Sequence, residues 1–295
     1  MKLRVHRILV PALIPALVLA MVLALALAVA AVAEEEGDVE RSDKAYEADT
    51  YHESDATGAT TPGDTAKAVG GPAGLTTGIR WLGHAAFLVD DGKRIYIDPF
   101  QLGAGLPTAD LVLITHDHSD HLSPADLKKI VGKSTIIVSI AAAKDELSKL
   151  GTFKAVKPGD TLTVAGVRIE VVPAYNLKKQ FHPKDKGYVG YIVHSGGRAI
   201  YHAGDTDIIP EMKSIKADVA LLPVGGTYTM NAKEAAEAAN IIKPKVAIPM
   251  HYGTLLGGNR LGSDADADTF KARAKVPVVV LKIEAQPPAP ARESD

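Results

Sequence analysis

A mixed α/β fold is what this sequence predicts, and three observations carry that expectation. Eleven short runs rich in Val, Ile and Leu recur along residues 76–285, each four to six residues long, which is the length and composition of strands. Turn signals fall between some of them, at Asp90-Asp91-Gly92 and at Ala165-Gly166, and read as hairpins. Helix-start signatures interrupt the series, so strands and helices alternate along the chain instead of segregating.

Taken in order, the expected strands are Ile79–Leu82, Ala86–Val89, Arg94–Asp98, Leu111–Ile114, Thr135–Ser139, Val167–Val172, Val189–Val193, Ala199–His202, Val219–Leu222, Val246–Pro249 and Val278–Ile283. The uninterrupted apolar run at Leu111–Ile114 has the character of a central strand covered on both faces. One helix is expected from Ser123-Pro124, a capping residue followed by proline at the first helical position. Another is expected from Asn231, with Glu234 three residues on as its capping partner. No repeat of solenoid spacing is present, and Gln286-Pro287-Pro288-Ala289-Pro290 reads as an extended end.

Composition narrows what such a body can do. With 46% apolar and 23% charged residues, the chain of 295 residues can bury a core and is not disordered as a whole. It contains no cysteine. That excludes disulfides, thiolate metal sites, a thiol nucleophile and a lipid-modified N-terminal cysteine. Any transition metal must be held by carboxylates and the ten histidines.

Residues 1–33 are unlike the rest. Lys2, Arg4 and Arg7 precede an uncharged stretch from Ile8 to Ala33 made mostly of Ala, Leu and Val. It is longer than the roughly 20 residues that span a hydrocarbon core and ends in Ala31-Val32-Ala33, a small-x-small pattern of cleavage sites. We read it as a signal peptide or N-terminal membrane anchor, with the body outside the cytoplasm, anchored or secreted. Residues 34–75 carry eleven Asp or Glu against three Lys or Arg, and with so few large apolar groups they read as a disordered acidic linker. The body, 76–285, is then nearly neutral, at about +4 of the chain's net −2, which argues against a nucleic-acid partner and tolerates a small anionic substrate. Residues 286–295 form the expected disordered tail, and homo-oligomerisation is left open.

The chemistry concentrates in Thr115-His116-Asp117-His118-Ser119-Asp120-His121, directly after the run Leu111–Ile114. Packing three imidazoles and a carboxylate so closely at a strand end is unfavourable unless a cation accepts the lone pairs and neutralises the charge. In extended backbone His116 and His118 point to one side. Asp120 and His121, after the turn, face a neighbouring position.

The pattern His-x-His-x-Asp-His resembles that of metallo-β-lactamase-fold hydrolases. Trp81-Leu82-Gly83-His84-Ala85, Ile97-Asp98-Pro99-Phe100, Tyr201-His202-Ala203-Gly204-Asp205-Thr206 and Ile248-Pro249-Met250-His251-Tyr252 look like the branch containing ascorbate-6-phosphate lactonase and N-acyl-phosphatidylethanolamine phospholipase D. The likeness spans essentially the whole body. It implies a four-layer αββα sandwich and two divalent metal ions, zinc foremost, with manganese or iron also compatible. His116 and His118 would serve the first ion, Asp120, His121 and His251 the second, and Asp205 would bridge ions roughly 3.5 to 4 Å apart.

One part departs from that pattern: no Thr-Pro-Gly-His-type sequence occurs, and Val172-Pro173-Ala174-Tyr175-Asn176 stands in its place. His182 is chosen as the last donor to the first ion, over His194, which sits beside the turn Ser195-Gly196-Gly197. Asp98 is expected to orient a metal-bound imidazole. Asp120 is a candidate to orient the nucleophile as well as bind metal; His84 and His202 are read as supporting the metal ligands or as structural histidines, with action on substrate or proton donation as the alternative; and Tyr188, Tyr191 and Tyr252 are either pocket walls or core aromatics. The implied reaction is hydrolysis of an ester, lactone or phosphodiester by a metal-bound hydroxide, the ions lowering the pKa of water from near 16 toward about 7. Penicillin hydrolysis is disfavoured. The rival reading is a membrane-tethered metal-binding or sensing protein without turnover.

Overall fold

In the computed structural model, residues 71–256 and 258–284 are described. The N-terminal apolar segment (1–33), the linker as far as residue 70 and the tail 286–295 lie outside them. None of the described helices is long and apolar enough to cross a membrane.

The described chain begins with helix α1 (Gly71–Thr76), in which Leu75 is buried. This corrects the expected linker boundary at 75. Arg198, itself buried, donates to the carbonyl oxygens of Gly74 and Thr77, so the body's packing reaches back into residues whose composition looks like linker.

Two six-stranded sheets follow, each antiparallel on one side and parallel on the other. The first has the order β1 (Ile79–Gly83), β2 (Ala86–Asp90), β3 (Arg94–Ile97), β4 (Leu111–Leu113), β5 (Ile136–Ile140) and β6 (Thr152–Val156). Pairing is antiparallel across β1, β2 and β3 and parallel from β3 to β6. The second comprises β7 (Thr161–Val164), β8 (Val167–Pro173), β9 (Val189–Ser195), β10 (Arg198–His202), β11 (Val219–Pro223) and β12 (Val246–Met250), with β7 and β12 at its edges. There β7 to β10 pair antiparallel and β10 to β12 parallel. Both expected hairpins form; Ala165 and Gly166 both take positive φ, 52° and 80°, as a two-residue I′ turn requires.

Helices α2 (Pro124–Ile130), α3 (Lys144–Leu147), α4 (Ala232–Ile242) and α5 (Asp264–Arg273) complete the α/β architecture, with the small hairpin β13 (Thr254–Leu256) and β14 (Asn259–Leu261). Ser123 caps α2 by accepting from the Asp126 N–H, and Asn231 and Glu234 form the expected capping box on α4. The buried face of α4 is Ala232, Ala235, Ala236, Ala238, Ala239 and Ile242, small enough for close approach to β11.

The core is continuous between the sheets, with Phe87, Leu88, Ile97, Leu111, Tyr191 and Tyr201 fully buried. Tyr191 crosses the interface, its hydroxyl donating to the Ile114 carbonyl at 2.8 Å. At one end the sheets meet through backbone hydrogen bonds from Val189 N–H to Thr115 O and from His251 N–H to His84 O. These join the ends of β4 and β1 in one sheet to residues flanking β9 and β12 in the other, and the candidate residues sit there.

Five strand expectations differ from the structure, two of them the unforeseen strands of the β13–β14 hairpin. β6 and β7 were not foreseen: both are edge strands with half or more of their residues exposed, and Thr and Lys mask their periodicity. Val278–Ile283 is not a strand. It makes only a bridge from Val278 to Ala247, and Pro277 lacks the N–H a ladder needs. The segment instead crosses to the first sheet, where Glu284 donates its N–H to Trp81 O and accepts from Arg80.

Candidate metal centre

Apart from His182, which lies in the loop between β8 and β9, the candidate residues are delivered from strand ends. β1 ends in Gly83 and the chain reverses through His84; β3 ends at Asp98; β4 delivers Thr115 to His121; β10 delivers His202 and Asp205; β12 delivers His251. His84, Asp98 and His251 all have positive φ, 52°, 47° and 60°. That is an uncommon conformation for residues with a Cβ, and its recurrence in one place marks strain held at a site. Gly225 must be glycine here, because a Cβ would collide with the His251 carbonyl oxygen.

Asp205 is the hub. Its Oδ1 lies 3.3 Å from His121 Nε2, and its Oδ2 lies 3.3 Å from His182 Nε2 and 3.1 Å from His251 Nε2. Around it, His116, His118 and His182 form one compact donor group, and His84, Asp120, His121 and His251 form another. The structure therefore brings His116, His118, Asp120, His121, His182, Asp205 and His251 together. His194 lies elsewhere, at the end of β9 against Glu170 and Arg168.

The surrounding hydrogen bonds aim the ring nitrogens. Fully buried Asp98 accepts from the Thr115 N–H at 2.7 Å, from the Thr115 hydroxyl at 2.6 Å and from His121 Nδ1 at 2.8 Å. With its proton given to Asp98, the Thr115 oxygen accepts from His116 Nδ1 at 2.9 Å. His182 Nδ1 donates to Asn176 Oδ1 at 3.0 Å. Asn176 is held in turn, because its Nδ2 donates to Asp207 and to the Tyr228 carbonyl. In each of these three imidazoles the Nδ1 proton has a partner, which leaves the Nε2 lone pair facing the centre.

Those lone pairs fit a cation. His116 Nε2 and His118 Nδ1 face each other at 3.1 Å, while His121 Nε2, His251 Nε2 and Asp205 Oδ1 are buried without a hydrogen-bond partner. Buried polar atoms are rarely left so, and a cluster of them made only of imidazole and carboxylate donors suits divalent ions.

The electrostatics agree. Burial, reinforced by His121, drives His116 well below the ordinary imidazole range. Burial and His251 push His84 down to about 4. At His121 burial also disfavours the charged form, but Asp205, Asp98 and Asp120 more than offset it and hold its pKa well above the usual value. Burial would raise Asp205, yet His251 and His121 outweigh it and keep the carboxylate ionised; at Asp120 the His121 charge and the His84 hydrogen bond do the same. The raised His121 and the lowered Asp205 and Asp120 share one cause, buried carboxylates that call for positive charge among them.

A cavity of about 150 Å³ opens on the centre, lined by His118, Asp120, Phe181, His182, Asp205, Tyr228 and Leu256. Of Asp120, His84 and His202, Asp120 alone lines it. His202 is fully buried with both ring nitrogens committed to backbone, Nε2 to Ala85 O at 2.8 Å and Nδ1 accepting from Gly204 N–H at 3.2 Å. It is a structural joint between the sheets. His84 is also buried, its Nε2 3.0 Å from Asp120 Oδ2, so it positions that carboxylate. Tyr188 packs on His116 at 5.0 Å, Tyr191 lies in the core and Tyr252 stacks near Trp81 at 4.8 Å; none of the three lines the cavity. Sequence reasoning gave no role to Thr115, Asn176, Asp207, Phe181, Tyr228 or Leu256. Thr115 and Asn176 stood inside motifs already singled out, whereas Tyr228 and Leu256 carry no local signal.

Residues 78–251 match the model of the beta-lactamase superfamily domain. The UPF0173 metal-dependent hydrolase of Methanopyrus kandleri is 40% identical over 195 residues, covering 60% of this chain and 84% of that protein. Its counterpart in Pyrococcus abyssi is 38% identical over 221 residues, 69% of this chain and 96% of that protein. Among solved structures, a metallo hydrolase of the hyperthermophilic archaeon Ignicoccus hospitalis superposes with a TM-score of 0.58 at 29% identity, covering 70% of this chain and 95% of that one.

Proposed function

The chain belongs to the metallo-β-lactamase superfamily of metal-dependent hydrolases, and on that premise we propose that it cleaves a carboxylic ester, lactone or phosphodiester bond at a two-ion centre. The observation that carries the reading is Asp205, one carboxylate placed between two donor groups, with an oxygen within 3.3 Å of His121 on one side and of His182 on the other. His116, His118 and His182 would hold one ion and Asp120, His121 and His251 the other, with Asp205 shared. Zinc suits this donor set foremost, and manganese or iron is compatible.

Divalent ions in such a centre supply Lewis acidity and a nucleophilic water near neutral pH. The chain supplies the rest. Asp98 orients His121 directly and His116 through Thr115, and Asn176 orients His182. Asp120, partly buried and steadied by His84, reaches the cavity beside Asp205 and is placed to accept a hydrogen bond from water or substrate. The apolar segment behind Lys2, Arg4 and Arg7 supports a body acting outside the cytoplasm.

The test is elemental analysis of the purified full-length chain coupled to a panel of esters, lactones and phosphodiesters. Two first-row ions per chain and turnover lost in His116→Ala are expected. Full activity in metal-free protein would end the reading. Saturated metal with no hydrolysis across the panel would favour a metal-binding or sensing protein instead.

A further inference from the structure

With His118, Asp120, His182 and Asp205 committed to the centre, the cavity wall left to meet a substrate is Phe181, Tyr228 and Leu256. No Lys or Arg is among the described lining residues. Lys179, the cation nearest in the same loop as Phe181, is ion-paired with Asp207, which also accepts from Leu177 N–H and Asn176. Sites that take phosphate or carboxylate groups normally present a guanidinium, an ammonium or a helix N-terminus to them. This wall presents an aromatic edge and an aliphatic side chain.

Phe181 is the second observation. It is 46% exposed on the rim of the cavity, its ring edge-on to Tyr228 at a centroid distance of 4.6 Å. Together with Tyr228 and Leu256 it gives the mouth of the cavity a contiguous apolar rim that can take an apolar ligand. The Tyr228 hydroxyl has no hydrogen-bond partner among the described residues, whereas its backbone oxygen is fixed by Asn176. It offers one neutral donor beside the apolar wall.

Resting on the two-ion hydrolase reading, we infer that the substrate is a neutral carboxylic ester, open or cyclic, whose apolar flank seats between Phe181 and Leu256. The Tyr228 hydroxyl donates to a substrate oxygen. In the reaction the oxygen of water bonds to the carbonyl carbon and the single carbon–oxygen bond of the ester breaks. The leaving oxygen departs with its electron pair and takes a proton, and the acid product ionises. One ester and one water give one alcohol, one carboxylate and one proton, so turnover can be followed by proton release.

The metal-loaded full chain is assayed by pH-stat on methyl hexanoate, monomethyl adipate, which differs by a terminal carboxylate, methyl acetate and bis(4-nitrophenyl) phosphate. Binding of the uncleavable neutral ketone 2-octanone is followed in parallel by ligand-observed NMR. Methyl hexanoate is expected to exceed both the adipate monoester and the acetate at least about tenfold in kcat/KM. Phe181→Ser should shrink that advantage about fivefold through KM and weaken 2-octanone binding; Phe181 is exposed, so the variant keeps its core. Leu256→Ser should act in the same direction. Preference for the adipate monoester or the phosphodiester, or a Phe181→Ser variant with unchanged selectivity, would overturn the inference while leaving a metal-dependent hydrolase. Absence of all turnover at full metal loading would instead sink the hydrolase reading. In that event, 2-octanone bound by the parent and lost in Phe181→Ser upholds the apolar pocket, and no binding overturns it.

Discussion

Asp98→Asn is the substitution that separates a carboxylate needed for orientation from one needed only for shape. Replacement by alanine would leave the Thr115 N–H, the Thr115 hydroxyl and His121 Nδ1 without an acceptor in a fully buried pocket. At about 1–3 kcal/mol for each buried unsatisfied group, the loss approaches the whole stability of a domain, about 5–15 kcal/mol. Asparagine keeps the volume and one acceptor oxygen, which can still serve the Thr115 N–H. Its amide nitrogen, however, turns the acceptor at the Oδ2 position into a donor. The least costly adjustment is for His121 to accept at Nδ1 and carry its proton on Nε2, the atom 3.3 Å from Asp205. A proton there occupies the lone pair a metal would use. Loss of an orienting partner typically costs 10–100-fold in metal affinity, or about 1.4–2.8 kcal/mol. Competition of the full-length chain against a chromophoric chelator reads that directly, and the visible absorption of the cobalt form reports the changed donor set. A folded Asp98→Asn protein with parental affinity and cobalt spectrum would refute the argument that Asp98 acts by aiming His121.

Other outcomes follow from the same geometry. Asn176→Ala should lower metal affinity about tenfold and destabilise the loop around His182, because Asn176 Oδ1 accepts from both the imidazole and the backbone N–H of His182 and two more bonds hold the amide itself; chelator competition and a thermal melt check both. His202→Phe should behave oppositely: it strands Ala85 O and Gly204 N–H, costing about 2–6 kcal/mol of stability, while the protein that remains folded keeps its metal content, and metal loss at full folding would contradict the assignment. Metal uptake should release protons and strengthen as pH rises: the neighbouring carboxylates hold the His121 pKa above its ordinary value, so the metal-free site is protonated at neutral pH and the cation must displace that proton. Calorimetry in two buffers of different ionisation enthalpy gives the number released, and zero would be incompatible. Asn231→Ala should cost about 0.5–2 kcal/mol in chemical denaturation through loss of the α4 cap, with no effect on metal binding.

The sequence exposed those parts of the centre that need several donors close together in the chain. His116, His118, Asp120 and His121 could be paired with one another before any fold was known, whereas Asp205 and His251 were assigned by the family resemblance, with which their places after runs of strand character agree. The orienting residues were harder, since their meaning is a direction. Thr115 relays between Asp98 and His116, yet threonine at a strand end looks ordinary. His202 could be read from sequence as either a structural or a substrate-facing imidazole, and only the fold decides between them by showing both its nitrogens spent on backbone of its own and the facing sheet. Within the fold, the covered strands announced themselves by apolar runs, whereas the edge strands β6 and β7, half in water, did not.

The positive φ values of His84, Asp98 and His251 bear on how the fold holds this site together. Each such residue costs about 1–3 kcal/mol, and the three lie at strand ends from both sheets. The cost is sustained because neighbouring backbone bonds over-determine the conformation. His84 O accepts from both the His251 N–H and the Trp81 indole, at 2.8 and 2.9 Å. Asp98 donates its own N–H to Leu113 O while its carboxylate gathers Thr115 and His121. His251 is fixed from behind by the close approach of Gly225. The donors are therefore positioned by the closure of one sheet on the other, which places part of the expense of organising the centre in folding.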